Sequence, residues 1–160
     1  MILLVIAVWW LGGSRGGLQG SAMIQHEGTK ATKGTKALAL GVSHTVLGAA
    51  IEVHRELGPG LLESVYEMAL CRELWIRRLR VERQVPVSVV YKGAELDGHI
   101  RVDLLVESSV IVEVKATEKL APIHRAQVLT YLKLTGHTVG LLLNFNSVLL
   151  KHGVRRILNG

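Results

Sequence analysis

The chain of 160 residues contains a single cysteine, Cys71, so no disulfide can form within it. This excludes a small secreted scaffold held together by disulfides, and it suits a reducing compartment such as the cytoplasm, where we expect the protein to be. The sequence also lacks a GxxxxGK[ST] motif, which excludes a P-loop nucleotide site. No internal repeat is visible, so nothing indicates a repeat architecture.

Charge is modest for a chain of this size. The net charge is +6, and half of it belongs to residues 1–42. The remainder, residues 43–160, is therefore only mildly basic, which permits a nucleic-acid partner without requiring one. With 49% hydrophobic residues, this part is long enough to form one domain with a substantial core.

The first 42 residues differ in composition from the rest. Residues 1–12 are apolar but too short to span a bilayer comfortably, and no basic residue precedes them, as a secretory signal would require. Residues 13–42 are rich in Gly, Ser, Thr and Lys. We predict that residues 1–42 are a disordered or non-native N-terminal extension with Met23 as the true start. A membrane anchor is the alternative, and we expect no stable membrane association.

Hydrophobic periodicity predicts an α/β domain over residues 43–160, with a mixed sheet of about five strands flanked by helices in the order α-α-β-β-β-α-β-β. Ser43 is the predicted N-cap of the first helix, and Gly58-Pro59-Gly60 ends it. The other predicted elements are a helix over 61–78, a strand over 81–91, a hairpin over 101–115, a helix from Pro122 to about Leu134, and strands over 138–144 and 154–158.

The hairpin over 101–115 carries charge inside apolar sequence. Asp103 lies on its first strand, and Glu113 and Lys115 lie on its second. Alternate residues of a strand share a face, so Glu113 and Lys115 project the same way. Burying a charge without a partner is costly, so these residues need an explanation. Either they form a structural ion pair, or Asp103 and Glu113 supply oxygen ligands for Mg²⁺ and Lys115 assists chemistry there.

The length of the hairpin connection decides between the two registers. A two-residue turn at Ser108-Ser109 would put Asp103 and Glu113 on opposite faces, because a one-residue slip flips every side chain. A three-residue connection over 107–109 pairs Asp103 with Glu113, so we predict an odd-length connection or an equivalent bulge. The predicted polar face then comprises Arg101, Asp103, Glu113 and Lys115, and the apolar face Val102, Leu104, Val112 and Val114.

Motifs on the helices complete a recognisable series. The segment G60-L-L-E63-S-V-Y66 matches the pattern GxxExxY, and Gln127 and Tyr131 lie four residues apart on the third helix. Together with Asp103 and the triplet E113-V-K115, they resemble the GxxExxY protein family of the PD-(D/E)xK nuclease-like superfamily. Gln127 and Tyr131 resemble the QxxxY element of its RecB-like branch. The resemblance covers residues 43–158, with Val102 where the superfamily motif has Pro.

The resemblance implies a restriction-endonuclease-like fold and metal-dependent hydrolysis of DNA phosphodiester bonds. Asp103 and Glu113 would be ligands of Mg²⁺ or Mn²⁺, and Glu63 would be a further metal or water-orienting carboxylate. Lys115 would orient the attacking water and offset charge on the phosphate. Gln127 and Tyr131 would position the site or contact the phosphate backbone, with Tyr66 and Arg101 as supporting residues.

Other interpretations stay open at this point. Glu63 could be an ordinary first-turn helix acid, Tyr66 and Tyr131 could be core aromatics with satisfied hydroxyls, and Arg101 could simply neutralise Asp103. The whole protein could be a non-catalytic nucleic-acid-binding or interaction module that keeps the nuclease fold. A double-strand cut by one assembly would need two active sites, so a homodimer is compatible with the nuclease hypothesis.

Overall fold

The computed structural model describes residues 33–160, apart from the side chains of residues 97–99. Four helices and five strands follow one another along this part of the chain. In chain order they are α1 (Lys33–Leu57), α2 (Glu63–Ile76), β1 (Val81–Tyr91), β2 (Ala94–Val106), β3 (Val110–Lys115), α3 (Pro122–Thr135), β4 (Val139–Asn144), α4 (Leu150–Gly153) and β5 (Val154–Leu158).

The strands form one mixed sheet in the order β1-β2-β3-β4-β5. Only β3 and β4 are parallel, and α3 provides the crossover that a parallel pair requires. The other neighbours pair antiparallel. The predicted α/β class with a mixed sheet of about five strands is confirmed, and the arrangement is consistent with a restriction-endonuclease-like fold. The single turn α4 is the one element that the predicted order omitted.

Apolar side chains cover both faces of the sheet. One cluster lies between the sheet and helices α1 and α2, and the other lies between the sheet and α3. Every residue of β4 is buried, as predicted for a strand covered on both faces. The first cluster includes Val46, Val53, Leu70, Leu74, Leu104, Val112, Val114, Leu141 and Phe145, and the second includes Val87, Val102, Ile111, Val128, Tyr131, Leu132 and Leu142.

Helix α1 begins ten residues earlier than predicted. Ser43 is not its N-cap but a buried residue within the helix, where its hydroxyl donates to the Leu40 carbonyl over 2.8 Å. Ala39 is 1% exposed and belongs to the first cluster, against which Leu40 and Val42 also pack. The predicted boundary after residue 42 therefore falls inside a packed helix. The prediction for residues 1–32 lies outside the described residues.

By length and composition alone, α1 also qualifies as a candidate membrane span. About a third of its most apolar window is buried against the rest of the domain. Core helices of soluble proteins pass the same test, so this is weak evidence for a membrane location.

The β2–β3 connection has the predicted odd length. Val106 pairs with Val110, and residues 107–109 join the strands. Glu107 and Ser108 have positive φ angles of 51° and 47°, and the Ser109 N–H donates to the Val106 carbonyl over 3.0 Å. The regular pairing ends at Leu104 and Val112, so Asp103 is the first residue of β2 beyond it. The predicted odd register is confirmed for the three regular residue pairs, but the predicted pairing of Asp103 with Glu113 is not part of it.

The predicted apolar face is partly wrong, because β1 and β2 change sides near Gln84. Leu104 packs in the cluster under α1 and α2, whereas Val102, two residues away, packs in the cluster under α3. In β1, Val81 packs against the first cluster and Val85 against the second. Strict alternation would keep each pair on one face. Gln84, with a φ of 51° in the middle of β1, lies where both strands switch.

If residues 33–42 belong to the folded domain, Ala39→Asp should lower the free energy of unfolding by about 3 kcal/mol, because it buries a carboxylate without a partner. Leu38→Asp is the matched control. Leu38 is 68% exposed on the same helical turn, so this substitution should change stability by less than about 0.5 kcal/mol. Chemical denaturation of the two variants measures the difference, and equal effects would contradict the packing of this segment.

Candidate active site

Glu113 and Lys115 form an ion pair at the carboxyl end of β3. Lys115 Nζ donates to Glu113 Oε1 over 2.7 Å, and the Glu113 side chain is only 2% exposed. The two residues lie on the face of β3 that also carries Ile111, which packs under α3. Burial alone would lower the pKa of Lys115, but the hydrogen bond and charge of Glu113, together with the charges of Glu63 and Asp103, outweigh it and raise that pKa, so Lys115 is a stable cation.

The other oxygen of Glu113, Oε2, is buried and has no hydrogen-bond partner among the described residues. Burial, followed by the negative charge of Asp103, raises the pKa of Glu113 to about 7, and the hydrogen bond and charge of Lys115 only partly oppose this rise. The single cation of Lys115 therefore does not balance the acids around it. A carboxylate in this state is suited to receive a proton or a second cation.

Asp103 occupies the point where β2 separates from β3. Its Oδ2 accepts a hydrogen bond of 2.8 Å from the Val114 N–H, so the side chain reaches the strand next to Glu113. Burial raises the pKa of Asp103, the Val114 N–H and Lys115 lower it, and Glu67 and Glu63 raise it; the net direction is upward. Asp103 and Glu113 are thus electrostatic neighbours, as the predicted register requires.

Glu63 approaches the same strand end from α2. It is the first residue of that helix, and its Oε1 accepts a hydrogen bond of 3.1 Å from the Ala116 N–H, directly after Lys115. Its charge acts on the pKa values of Asp103, Glu113 and Lys115. Glu63 is therefore more than a helix-end acid, because it contacts the segment that carries the ion pair.

Tyr66 supports the loop that precedes Glu63. Its hydroxyl donates to the Gly58 carbonyl over 2.6 Å and accepts from the Leu61 N–H over 3.1 Å. The ring is fully buried and stacks on Phe145, with 4.6 Å between the ring centroids. Gly60 has a φ of 105°, which a residue without Cβ adopts readily. Gly60 and Tyr66 together determine where α2 begins, and thus where Glu63 lies.

Gln127 and Tyr131 contact each other. Gln127 Nε2 donates to the Tyr131 hydroxyl over 2.7 Å, and the Tyr131 ring packs in the cluster under α3. They share the side of the sheet on which Glu113 lies, but no hydrogen bond of this pair to Asp103, Glu113 or Lys115 is present among the described residues. Their catalytic role stays a prediction.

Arg101 does not form the polar face predicted with Asp103. Its side chain is exposed, and it is not among the charges that act most on the pKa of Asp103. The reason is the change of sides near Gln84, which breaks the alternation that would have aligned Arg101 with Asp103. Lys115, rather than Arg101, is the cation that lowers the pKa of Asp103.

Two buried polar residues at the site were missed by sequence reasoning. Asn144, at the end of β4, accepts from the Thr117 N–H over 3.0 Å and donates to the Thr117 carbonyl over 2.8 Å, which fixes the chain after Lys115. Glu67 is 6% exposed and lies one helical turn after Glu63. The spacing of four residues between two acids on one helix was the available signal for Glu67.

A family model described as the PD-(D/E)XK nuclease superfamily matches residues 41–157, well over half of the chain. The chain belongs to this superfamily. No curated protein and no solved structure matches it. Membership in a nuclease superfamily implies a nucleic acid as the general class of substrate.

Nucleases of the PD-(D/E)XK superfamily typically use a divalent metal ion. Within residues 33–160, as far as side chains are described, no group of three or more His, Cys, Asp or Glu side chains is arranged to hold a metal ion. The donor chemistry nevertheless fits Mg²⁺ or Mn²⁺, because Asp103 and Glu113 offer carboxylate oxygens and Glu113 Oε2 is buried without a hydrogen-bond partner there.

The raised pKa of Glu113 predicts a pH-dependent stability in the absence of divalent ions. The folded protein holds this proton more tightly than the unfolded chain, so the contribution of Glu113 to stability is full below about pH 4.5 and is lost as pH rises through about 7. Relative to Glu113→Gln, the wild type should lose on the order of 3 kcal/mol between pH 4.5 and 8.

Urea denaturation in EDTA across this pH range measures the difference between wild type and Glu113→Gln. Glu56→Gln is the control, since Glu56 is an exposed residue of α1. It should follow the wild type at every pH. A difference between wild type and Glu113→Gln that does not change with pH would contradict the prediction.

The role of Tyr66 predicts that Tyr66→Phe lowers the free energy of unfolding by about 1–3 kcal/mol, because the Gly58 carbonyl and the Leu61 N–H both lose their partner. Tyr131→Phe removes a hydroxyl whose hydrogen-bond partner among the described residues is the half-buried Gln127 side chain, so its effect should be smaller. Thermal or urea unfolding compares the two, and an equal loss would contradict the loop-holding role.

Proposed function

We propose that this chain hydrolyses DNA phosphodiester bonds in a reaction that depends on Mg²⁺ or Mn²⁺. The observation that carries the proposal is the buried Glu113 carboxylate, which is paired on one oxygen with Lys115 and has no hydrogen-bond partner on the other among the described residues. Asp103 adds a second carboxylate beside it. Like-charged acids with one ammonium are a typical arrangement for divalent-metal phosphoryl chemistry.

Asp103 and Glu113 would hold the ion, with Glu63 as the further carboxylate. A divalent ion bound there would supply Lewis-acid charge that favours attack by water on the scissile phosphorus. Lys115 carries a stable positive charge and would donate to a phosphate oxygen as negative charge develops on it. Its hydrogen bond to Glu113 keeps the ammonium at the end of β3 before substrate arrives.

We also infer that the narrower family is the GxxExxY group. The support is that each motif residue has a structural task at this site: the positive φ of Gly60 shapes the loop, the Tyr66 hydroxyl holds it, and Glu63 contacts the N–H after Lys115. Gln127 and Tyr131 would act from the α3 side, where a rotation of the Gln127 amide away from the Tyr131 hydroxyl would let it contact substrate.

A non-catalytic nucleic-acid-binding or interaction module is the second candidate. It is favoured by the engagement of Lys115 Nζ with Glu113, and by the lack of a preassembled three-residue metal group in the described part of the chain. The fold and the family would be the same under this alternative.

Supercoiled plasmid incubated with the purified protein should be nicked in the presence of Mg²⁺ or Mn²⁺ and left intact in EDTA. Glu113→Ala and Asp103→Asn should each reduce the nicking rate about a hundredfold or more, because each removes a carboxylate that the reaction needs. Glu56→Ala, in the exposed part of α1, should cut at the wild-type rate.

Two results would oppose the proposal. If the wild type binds DNA but cuts it with neither Mg²⁺ nor Mn²⁺, the binding-module function is correct. If Glu113→Ala cuts as fast as the wild type, the reaction does not use this site. A gel-based time course across both metals separates these outcomes.

A further inference from the structure

Glu67 is a buried acid to which the proposed reaction assigns no role. It lies on α2, one turn beyond Glu63, and is 6% exposed. Its Oε1 accepts from Arg83 Nε and its Oε2 accepts from Gln84 Nε2, each over 3.0 Å. Both donors belong to consecutive residues of β1, so Glu67 holds the middle of that strand against α2.

Gln84 connects Glu67 to Asp103. It faces Asp103 across the β1–β2 pairing, between the pairs that Arg83 and Val85 make with β2. Its Nε2 lies 3.0 Å from Glu67 Oε2 and 3.5 Å from Asp103 Oδ1. An amide with a carboxylate on each side must present its NH₂ group to both, because the amide oxygen has no proton to donate.

The backbone of Gln84 indicates that this position is held by its surroundings. Its φ of 51° is uncommon for a residue with a side chain, and such conformations persist only where neighbouring contacts enforce them. In β1 this conformation turns the amide towards Asp103 at the point where the strand changes sides. An ordinary strand residue would not require it.

We propose that Glu67 and Gln84 are positioning residues for Asp103: Glu67 fixes the Gln84 amide, and the second N–H of that amide orients Asp103 Oδ1. The Val114 N–H holds the other oxygen, Oδ2, so the carboxylate is constrained at both ends. Partners of this kind orient metal ligands, and their loss typically weakens metal binding by 10–100-fold. The inference rests on the proposed function, in which Asp103 is a metal ligand.

The alternative is that Glu67 only forms an ion pair with Arg83 and that Gln84 only shapes the backbone. Glycine separates the two roles. Gln84→Gly removes the amide and accepts a positive φ without strain, so the backbone is kept although Glu67 Oε2 loses a donor. Under the alternative this variant would bind Mn²⁺ with the wild-type affinity.

The test measures Mn²⁺ affinity by isothermal titration calorimetry on the full chain, with the melting temperature and plasmid nicking measured alongside. Gln84→Gly should weaken Mn²⁺ binding about tenfold, at the lower end of the usual range because the contact to Asp103 is long. The matched control is Ser108→Gly, which replaces another residue of positive φ, in the β2–β3 connection. It should keep the wild-type affinity. Melting curves should show both variants folded at the titration temperature, with Gln84→Gly melting lower because Glu67 Oε2 loses a donor.

Glu67→Gln tests whether Glu67 acts through Gln84. Alone it should also weaken Mn²⁺ binding, and combined with Gln84→Gly it should weaken binding no further than Gln84→Gly does, because the two residues act in series. If the two losses of Mn²⁺ affinity multiply in the double variant, Glu67 does not act through Gln84. If the loss of the Arg83 pair unfolds Glu67→Gln, the affinity of Gln84→Gly still decides the role of the amide.

Wild-type affinity in Gln84→Gly would overturn the inference, and so would a wild type that binds no Mn²⁺ at all. A wild type that binds Mn²⁺ but never cuts DNA would refute only the proposed hydrolysis. The positioning role of Gln84 would then still be decided by the affinities of Gln84→Gly and Ser108→Gly.

Discussion

The structure depends on the burial of one carboxylate at the end of a central strand. Glu113 lies within a run of five buried residues in β3, where water cannot solvate its charge. Lys115 offsets that charge through one oxygen only, and Asp103 and Glu63 add negative charge nearby. A residue without charge at this position would avoid the free-energy cost of burying a carboxylate. The carboxylate is therefore understandable only if a proton, a cation or a substrate group interacts with it in the working protein.

The chain from Lys115 to Thr117 is held by hydrogen bonds to the start of α2 and to the end of β4. The Lys115 carbonyl accepts from the Phe145 N–H over 2.8 Å, the Ala116 N–H donates to Glu63, and the Thr117 N–H donates to Asn144. These contacts come from two segments, the start of α2 and the end of β4, and they satisfy backbone groups that the end of a strand would otherwise leave without partners. The ammonium and the carboxylate therefore project from a rigid support, which is what precise chemistry at a phosphate needs.

Much of the fold could be predicted from the sequence, because alternating and continuous apolar runs determine strands. The parity of the β2–β3 connection determines the register of that hairpin. The start of α1 could not, since residues 33–42 have a composition typical of a linker, and only packing of Ala39 against the core makes them helical. Glu67 was missed for a related reason: its burial depends on Arg83 and Gln84, donors that reach it from β1 and not from its own helix.

The change of sides near Gln84 was also invisible to a rule of strict alternation. A single residue with positive φ lets the part of the β1–β2 pair that carries Val87 and Val102 pack under α3. The part that carries Val81 and Leu104 packs under α1 and α2. Its consequence for the site is direct. The pairing of β2 with β3 ends at Leu104, and the Asp103 carboxylate then accepts the Val114 N–H in place of a backbone carbonyl. The change of sides near Gln84, which strict alternation does not predict, therefore brings Asp103 next to Glu113.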